Sequence, residues 1–233
     1  MKKVGCYIHI PFCQKKCYYC DFCAYMNVEH RIDDYINNLI KEIKIYQDKL
    51  SCEIDSIYIG GGTPSYIDGK YIKKIRKTLD GFKIGDIKEF TIECNPNSIS
   101  KYKLLLYKDL GINRISLGVQ SFDDKVLKAI GRNHTAAIAL SDIDLIRNVG
   151  FDNLSFDLML NLPNQDYNSV KNDLEMVKKI SPEHISWYSL ILEEGSRFYT
   201  LDKNGKLDLM DDDKEVDIFN NLVVELGKIG LHR

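Results

Sequence analysis

An α/β fold built on a parallel sheet is predicted by three features of this 233-residue chain. Short β-branched, apolar runs alternate with longer segments of helical period, and six such repeats follow one another. The connections between the runs suit parallel neighbours, which need crossovers of about a dozen residues or more. Polar and glycine residues recur where the strands end, as they do on the carboxyl face of a parallel barrel. An open doubly wound sheet and a barrel both remain compatible with the pattern.

In chain order, the first strand is predicted over residues 4–10. Residues 31–50 set Ile32, Tyr35, Ile36, Leu39, Ile40 and Ile43 on one helical face. Further strands are predicted over 56–60, 89–94, 114–119, 153–160 and 184–192. Further helices fall over 70–79, 101–108, 124–129, 136–148, 169–179 and 214–228. Gly111 and Gly150 follow two of them, where a helix ends in the left-handed conformation. The strand ends carry a cysteine loop, then Gly60 to Thr63, Glu93, Gln120, Asp157 and residues 188–190. No low-complexity tract or long Ser/Pro/Gly linker divides the chain, so residues 1–233 read as a single domain.

Composition narrows the function. With a net charge of −2 and acids and bases interspersed, the chain has no general electrostatic reason to bind nucleic acid or anionic lipid. The basic run at 73–77 reads as a solvated helix face. The opening "MKKVGCYIHIPFC" is too short, and too interrupted by His9 and Pro11, to be a secretory leader. No apolar run approaches the ~20 residues of a membrane span. A cytoplasmic location is therefore expected, where thiols stay reduced and seven cysteines point to metal or chemistry rather than to disulfides.

Cys13, Cys17 and Cys20 form C-x3-C-x2-C directly after the first strand. Thiolates suit zinc or an iron–sulfur cluster. A structural zinc would use Cys23 as fourth ligand, but no second cysteine pair follows. A thioredoxin-like pair at Cys17 and Cys20 would leave Cys13 unexplained. A four-iron–four-sulfur cluster with three protein ligands would keep one iron open to a small chelating molecule. "YIGGGTPS" supplies a glycine triplet that admits close backbone approach and offers unhindered N–H groups, or simply a tight turn. Arg132 can pair bidentately with a carboxylate or form an ordinary surface ion pair. Glu93, Gln120 and Asp157 are each either ligand contacts or solvated strand ends.

The C-x3-C-x2-C loop resembles the signature of the radical S-adenosylmethionine enzymes. The strings "YIHIPFC", "GGGTPS", "IECNP", "ISLGVQSF", "GRNHT" and "FDLMLNLPNQ" resemble, in fixed order over residues 4 to about 200, the oxygen-independent coproporphyrinogen III oxidase-like family, which includes heme chaperones. The resemblance implies a partial (β/α)6 barrel. It implies a 4Fe–4S cluster on Cys13, Cys17 and Cys20, and S-adenosylmethionine contacts from Tyr7, Tyr19, Gly61, Gly62, Thr63, Glu93, Gln120, Arg132 and Asp157. In that family the reduced cluster cleaves S-adenosylmethionine to methionine and a 5′-deoxyadenosyl radical. Expected partners are heme or a porphyrin, a heme-acceptor protein, and an electron donor such as flavodoxin or ferredoxin.

Two departures favour the chaperone branch over the oxidase. Phe22 stands where the oxidase has a fourth cysteine, and the first strand begins without the oxidase's preceding segment. The resemblance also implies a further C-terminal domain, expected to carry heme contacts, beyond Arg233. Porphyrinogen decarboxylation, methyl transfer and tetrapyrrole modification are the rival activities. None of the histidines at 9, 30, 134, 184 and 232 has the context of an axial heme ligand.

Overall fold

The computed structural model describes residues 2–233. Its elements run β1 (Lys2–Ile10), α1 (Ile32–Lys49), β2 (Cys52–Gly61), α2 (Gly69–Leu79), β3 (Lys83–Cys94), α3 (Lys101–Asp109), β4 (Arg114–Gln120), α4 (Asp124–Ala129), α5 (Ala136–Val149), β5 (Asn153–Leu160), α6 (Tyr167–Ile180), β6 (His184–Ser189), α7 (Arg197–Lys203) and α8 (Asp212–Lys228).

The strand order decides between the two closures. All neighbours are parallel and the spatial order equals the chain order, β1 to β6. A doubly wound sheet reverses direction at a switch point. This one never reverses, so right-handed crossovers put the helices on one face and curl the sheet into an incomplete barrel. The strands alternate accordingly. Ile10, Ile59, Ile92, Leu117 and Phe156, each 0% exposed, face the helices and form the core. Residues of opposite parity share the concave face. Their cross-strand bonds prove it: Tyr58 to Glu93, Arg114 to Thr91, Ser116 to Asp157, Tyr188 to Gln120 and Ser155 to His184.

Helix starts follow side-chain chemistry, with Ser100, Thr135 and Asp166 accepting from the first-turn N–H groups of α3, α5 and α6. Gly111 and Gly150 adopt φ of 84° and 91°, as predicted for residues ending α3 and α5. Three differences stand out. β2 and β3 begin four and six residues before their predicted starts at 56 and 89. Charged and glycine residues at these ends mask the strand pattern, and the β2–β3 register shifts between Ile54 and Ser56. β6 ends at Ser189, short of the predicted 192. The short α7 was not predicted at all. It rests on a single buried apolar side chain, Phe198, and on the Ser196 cap, too little for a periodic signal.

His134, 5% exposed, lies behind the end of β4, where its Nε2–H donates to the Val119 carbonyl at 3.2 Å. Its Nδ1 is buried without a partner among the described residues. Burial, aided by the nearby Arg132 charge, pushes the imidazole down to about 3. The folded state therefore binds a proton less readily than the unfolded chain, and stability is lost as pH falls below the ordinary histidine value. Between pH 7 and pH 5, urea unfolding should show the wild type losing about 2 kcal/mol more than His134→Gln, whose amide keeps the donor.

Candidate functional site

The segment from Pro11 to Val28 carries four of the seven cysteines and is irregular, so its shape depends on anchors to ordered elements. Tyr25 N–H donates to the Pro11 carbonyl at 2.8 Å, and Cys13 N–H to the Tyr25 carbonyl at 3.0 Å, which closes the loop on itself. Tyr18 N–H reaches the Ile130 carbonyl (3.1 Å), and the Tyr18 carbonyl accepts from Phe198 N–H (2.9 Å). The unpredicted α7 thus holds the middle of the cysteine loop, with the Arg197 guanidinium 4.0 Å over the Tyr18 ring. His9 Nε2–H ties the far end to the Cys23 carbonyl at 3.0 Å.

These anchors place Cys13, Cys17 and Cys20 in the lining of an open cleft at the carboxyl end of the sheet. Cys13 is buried against the Thr63 hydroxyl at 3.4 Å, and Cys17 Sγ accepts from the Arg132 guanidinium at 3.3 Å. Cys23 is exposed, faces the Tyr25 hydroxyl at 3.5 Å, and is not part of the cleft lining. Among the described residues no three His, Cys, Asp or Glu side chains gather closely enough for one metal ion. The three thiols share the cleft lining, which fits a polynuclear cluster taking one thiolate per iron.

The glycine triplet acts through what its missing side chains admit. A Cβ on Gly62 would lie 2.8 Å from the Phe12 carbonyl oxygen and 2.9 Å from Phe12 N, so only glycine lets β2 end against the base of the cysteine loop. One on Gly60 would meet the Glu93 carboxylate at 2.9 Å, and one on Gly61 (φ 116°) the His9 ring at 2.6 Å. The N–H groups along this turn are engaged within the protein: Gly61 with Glu93 Oε2 (2.9 Å), Gly62 with the Ile10 carbonyl (2.9 Å), Thr63 with the Phe12 carbonyl (2.8 Å).

Glu93 also accepts from the Tyr58 hydroxyl at 2.7 Å, and burial raises its carboxyl above the usual range despite these bonds. Asp157 lies inside β5 rather than at its end, and burial raises it to about 6. Gln120 closes β4 with φ of 69°, where the β4–β5 register shifts past Gly118, and accepts from Tyr188 at 3.2 Å. Tyr19, its phenol raised by burial and by the Cys17 thiol, joins Gly61, Gly62, Thr63, Glu93, Gln120, Arg132 and Asp157 in lining the cleft. Tyr7 does not join them. It is 59% exposed, stacks on Tyr58 with centroids 6.0 Å apart, and bonds to His9 Nδ1 at 3.0 Å.

Two residues within the quoted motifs carry more of the site than the sequence reading assigned. Asn95, just past β3, donates to Thr63 Oγ1 and accepts from Arg132, each at 2.8 Å. Gly118 leaves the space a Cβ would fill at 2.8 Å from Asn95 Oδ1 and 3.1 Å from Gln120 Nε2, and its carbonyl accepts from Arg132. A glycine inside a strand marks such a close approach. The Arg132 Nε is buried without a partner among the described residues. A fixed cation with an unused donor, beside half-buried carboxylates and three thiols, fits a ligand bearing a carboxylate, an amine and hydroxyls next to a thiolate-held cluster.

Gly62→Ala should destabilise the fold by about 1–3 kcal/mol through backbone overpacking and lower the iron bound after anaerobic reconstitution. Gly227→Ala is the control. Its Cβ would meet nothing nearer than 4.0 Å, and alanine favours the helix. Thermal melts and iron assays on both variants check this.

Comparison with known proteins agrees with this geometry. The family model described as the Radical SAM superfamily matches residues 7–177. The heme chaperone HemW of Lactococcus lactis subsp. lactis is 36% identical over 230 residues, covering 98% of this chain and 60% of that protein. HemW of Bacillus subtilis is 35% identical over 230 residues, covering 97% and 61%. The chain thus spans less than two thirds of the length of these curated relatives. The solved coproporphyrinogen III oxidase HemN of Escherichia coli, described as a radical SAM enzyme, superposes with a TM-score of 0.87 at 26% identity, covering 98% of this chain and 53% of that one. Among the described residues no helix is long and apolar enough to cross a membrane. A model match over residues 7–177, on a six-stranded parallel partial barrel, means that the chain belongs to the Radical SAM superfamily.

Proposed function

We propose that this chain is the cluster-bearing core of a heme chaperone, which binds heme and passes it to an acceptor protein. The observation that carries the reading is that Cys13, Cys17 and Cys20 line one cleft together with Arg132, Glu93, Gln120 and Asp157, with Arg132 bonded to Cys17. Similarity to proteins named heme chaperones, at 35–36% identity over nearly the whole chain, supports the biological role.

Cys13, Cys17 and Cys20 would hold a 4Fe–4S cluster, and the other residues lining the cleft would hold S-adenosylmethionine. When bound, these groups supply one-electron cleavage of a sulfonium and hydrogen abstraction from unactivated carbon. The chain's own residues bind and orient. Arg132 offers its free Nε–H and a guanidinium already fixed by Asn95 and Gly118 to a carboxylate. Glu93, held by Tyr58 and Gly61, offers a half-buried acceptor to an ammonium. Gln120 and Asp157 face ribose hydroxyls or the base. Tyr19 screens Cys17 from water.

An acidic one-electron donor such as flavodoxin or ferredoxin, a heme or porphyrin ligand, and an acceptor protein complete the reading, with the protein working in the cytoplasm. Residues 1–233 then act as one radical domain. A second reading, oxidative decarboxylation of coproporphyrinogen III, draws on the TM-score of 0.87 to the oxidase.

Anaerobic reconstitution should give about four irons and four sulfides per chain, retained in Cys23→Ser and lost in Cys17→Ala. Incubation with coproporphyrinogen III, S-adenosylmethionine and a strong reductant should yield no vinyl product, while heme titration should show stoichiometric uptake. Vinyl products would replace the chaperone reading with the oxidase. Stoichiometric zinc without iron would end both.

A further inference from the structure

Behind the cleft, α6 carries Asp173, an aspartate 0% exposed that no ligand contact explains. Its Oδ1 accepts from Phe122 N–H at 2.6 Å, and both carboxylate oxygens lie within reach of the Ser121 hydroxyl, at 3.2 and 2.9 Å. Ser121 itself is 0% exposed, and its Oγ accepts in turn from Asp123 N–H at 3.1 Å. A second tie runs in parallel: the Ser169 hydroxyl donates to Asp123 Oδ2 at 2.8 Å. Through these bonds α6 grips the first three residues after β4.

The residue immediately before them is Gln120, the cleft residue with φ of 69°. For a non-glycine residue this conformation costs on the order of 1 kcal/mol, and it persists only where the surroundings over-determine it. Upstream, the β4–β5 register shifts past Gly118, and Gln120 is the last residue of β4 to pair, opposite Leu158, so regular ladder geometry does not set its conformation. Downstream, the Asp173 clamp does. A fully buried carboxylate is a costly way to satisfy one N–H and one hydroxyl, since burial raises Asp173 to about 7 despite both bonds. An apolar side chain would suffice for core packing alone.

We propose that Asp173 is a positioning residue: by clamping Ser121 and Phe122 it holds Gln120 in the left-handed conformation that aims its amide into the cleft, and so sets the affinity for S-adenosylmethionine. This rests on the reading of the cleft given above. The clamp never touches the ligand and stands outside the cysteine loop, so it leaves cluster assembly unchanged.

The test is a double-mutant cycle on the intact chain with its cluster rebuilt anaerobically. S-adenosylmethionine dissociation constants are measured by calorimetry, beside thermal melts and iron content. Asp173→Ala should weaken binding about tenfold, the equivalent of one lost hydrogen bond of ordinary strength, with iron content unchanged. Asp173→Asn should stay within about twofold of wild type, because its amide oxygen accepts from Phe122 and its NH2 meets the Ser121 hydroxyl. In a Gln120→Ala background, Asp173→Ala should cost no more than about twofold further. Should Asp173→Ala fail to fold, Ser121→Ala replaces it, with a loss of about threefold that also vanishes beside Gln120→Ala.

Wild-type affinity in a folded Asp173→Ala protein would overturn the proposal. So would a tenfold loss that persists without the Gln120 side chain, which would mean general loosening. A wild-type protein that holds its cluster but does not bind S-adenosylmethionine would remove the cleft reading itself, and the clamp's role with it.

Discussion

The contact on which the rest depends is between two pieces of backbone. At the carboxyl ends of β1 and β2, Gly62 N–H donates to the Ile10 carbonyl and Thr63 N–H to the Phe12 carbonyl, with no side chain between the chains. This continues the parallel ladder past the last paired residues, Ile10 and Gly61, into the start of the cysteine loop. The position of Cys13 follows directly, and Thr63 then meets the Cys13 thiol. A side chain at position 62 would prise the loop away at its root and move every downstream thiol.

From that seam the site is assembled by neighbours in the sheet. Glu93 from β3 fills the space left by Gly60 and caps Gly61. Asn95 joins Thr63 to Arg132, and Arg132 reaches back to Cys17. The path Cys13–Thr63–Asn95–Arg132–Cys17 is therefore a closed circuit linking the loop to β2, β3 and the segment after α4. Carboxylates and a guanidinium drawn partly out of water are expensive inside a protein. Their concentration here, with Glu93 and Asp157 both raised by desolvation, marks the cleft as a place where stability is traded for an arrangement a ligand can complete.

Much of this was legible beforehand because it is local. The alternation in "RISLGVQ" and "NLSFDLML" announces strands with one apolar and one polar face. Gly111 and Gly150 announce helix ends by their freedom at positive φ. What escaped depends on tertiary context. α7 has too few apolar residues to show a period, yet it anchors Tyr18. Gly118 and Asn95 look like ordinary strand and turn residues until Arg132, 14 and 37 positions away, is folded against them. Tyr7, which a motif match put among the ligand contacts, stacks on Tyr58 and lies outside the cleft lining. Gly61 and Gly62 of the triplet line the cleft, but their N–H groups bind protein and their value lies in the clearances they give.

The central claim is that Cys13, Cys17 and Cys20 ligate a cluster whose remaining iron is open to a chelating ligand. Electron paramagnetic resonance of the anaerobically reduced protein, with and without S-adenosylmethionine, tests it most directly. The account predicts a reduced-cluster signal that shifts when S-adenosylmethionine is added and behaves identically in Cys23→Ser. A signal indifferent to S-adenosylmethionine, or one abolished by Cys23→Ser, would contradict it.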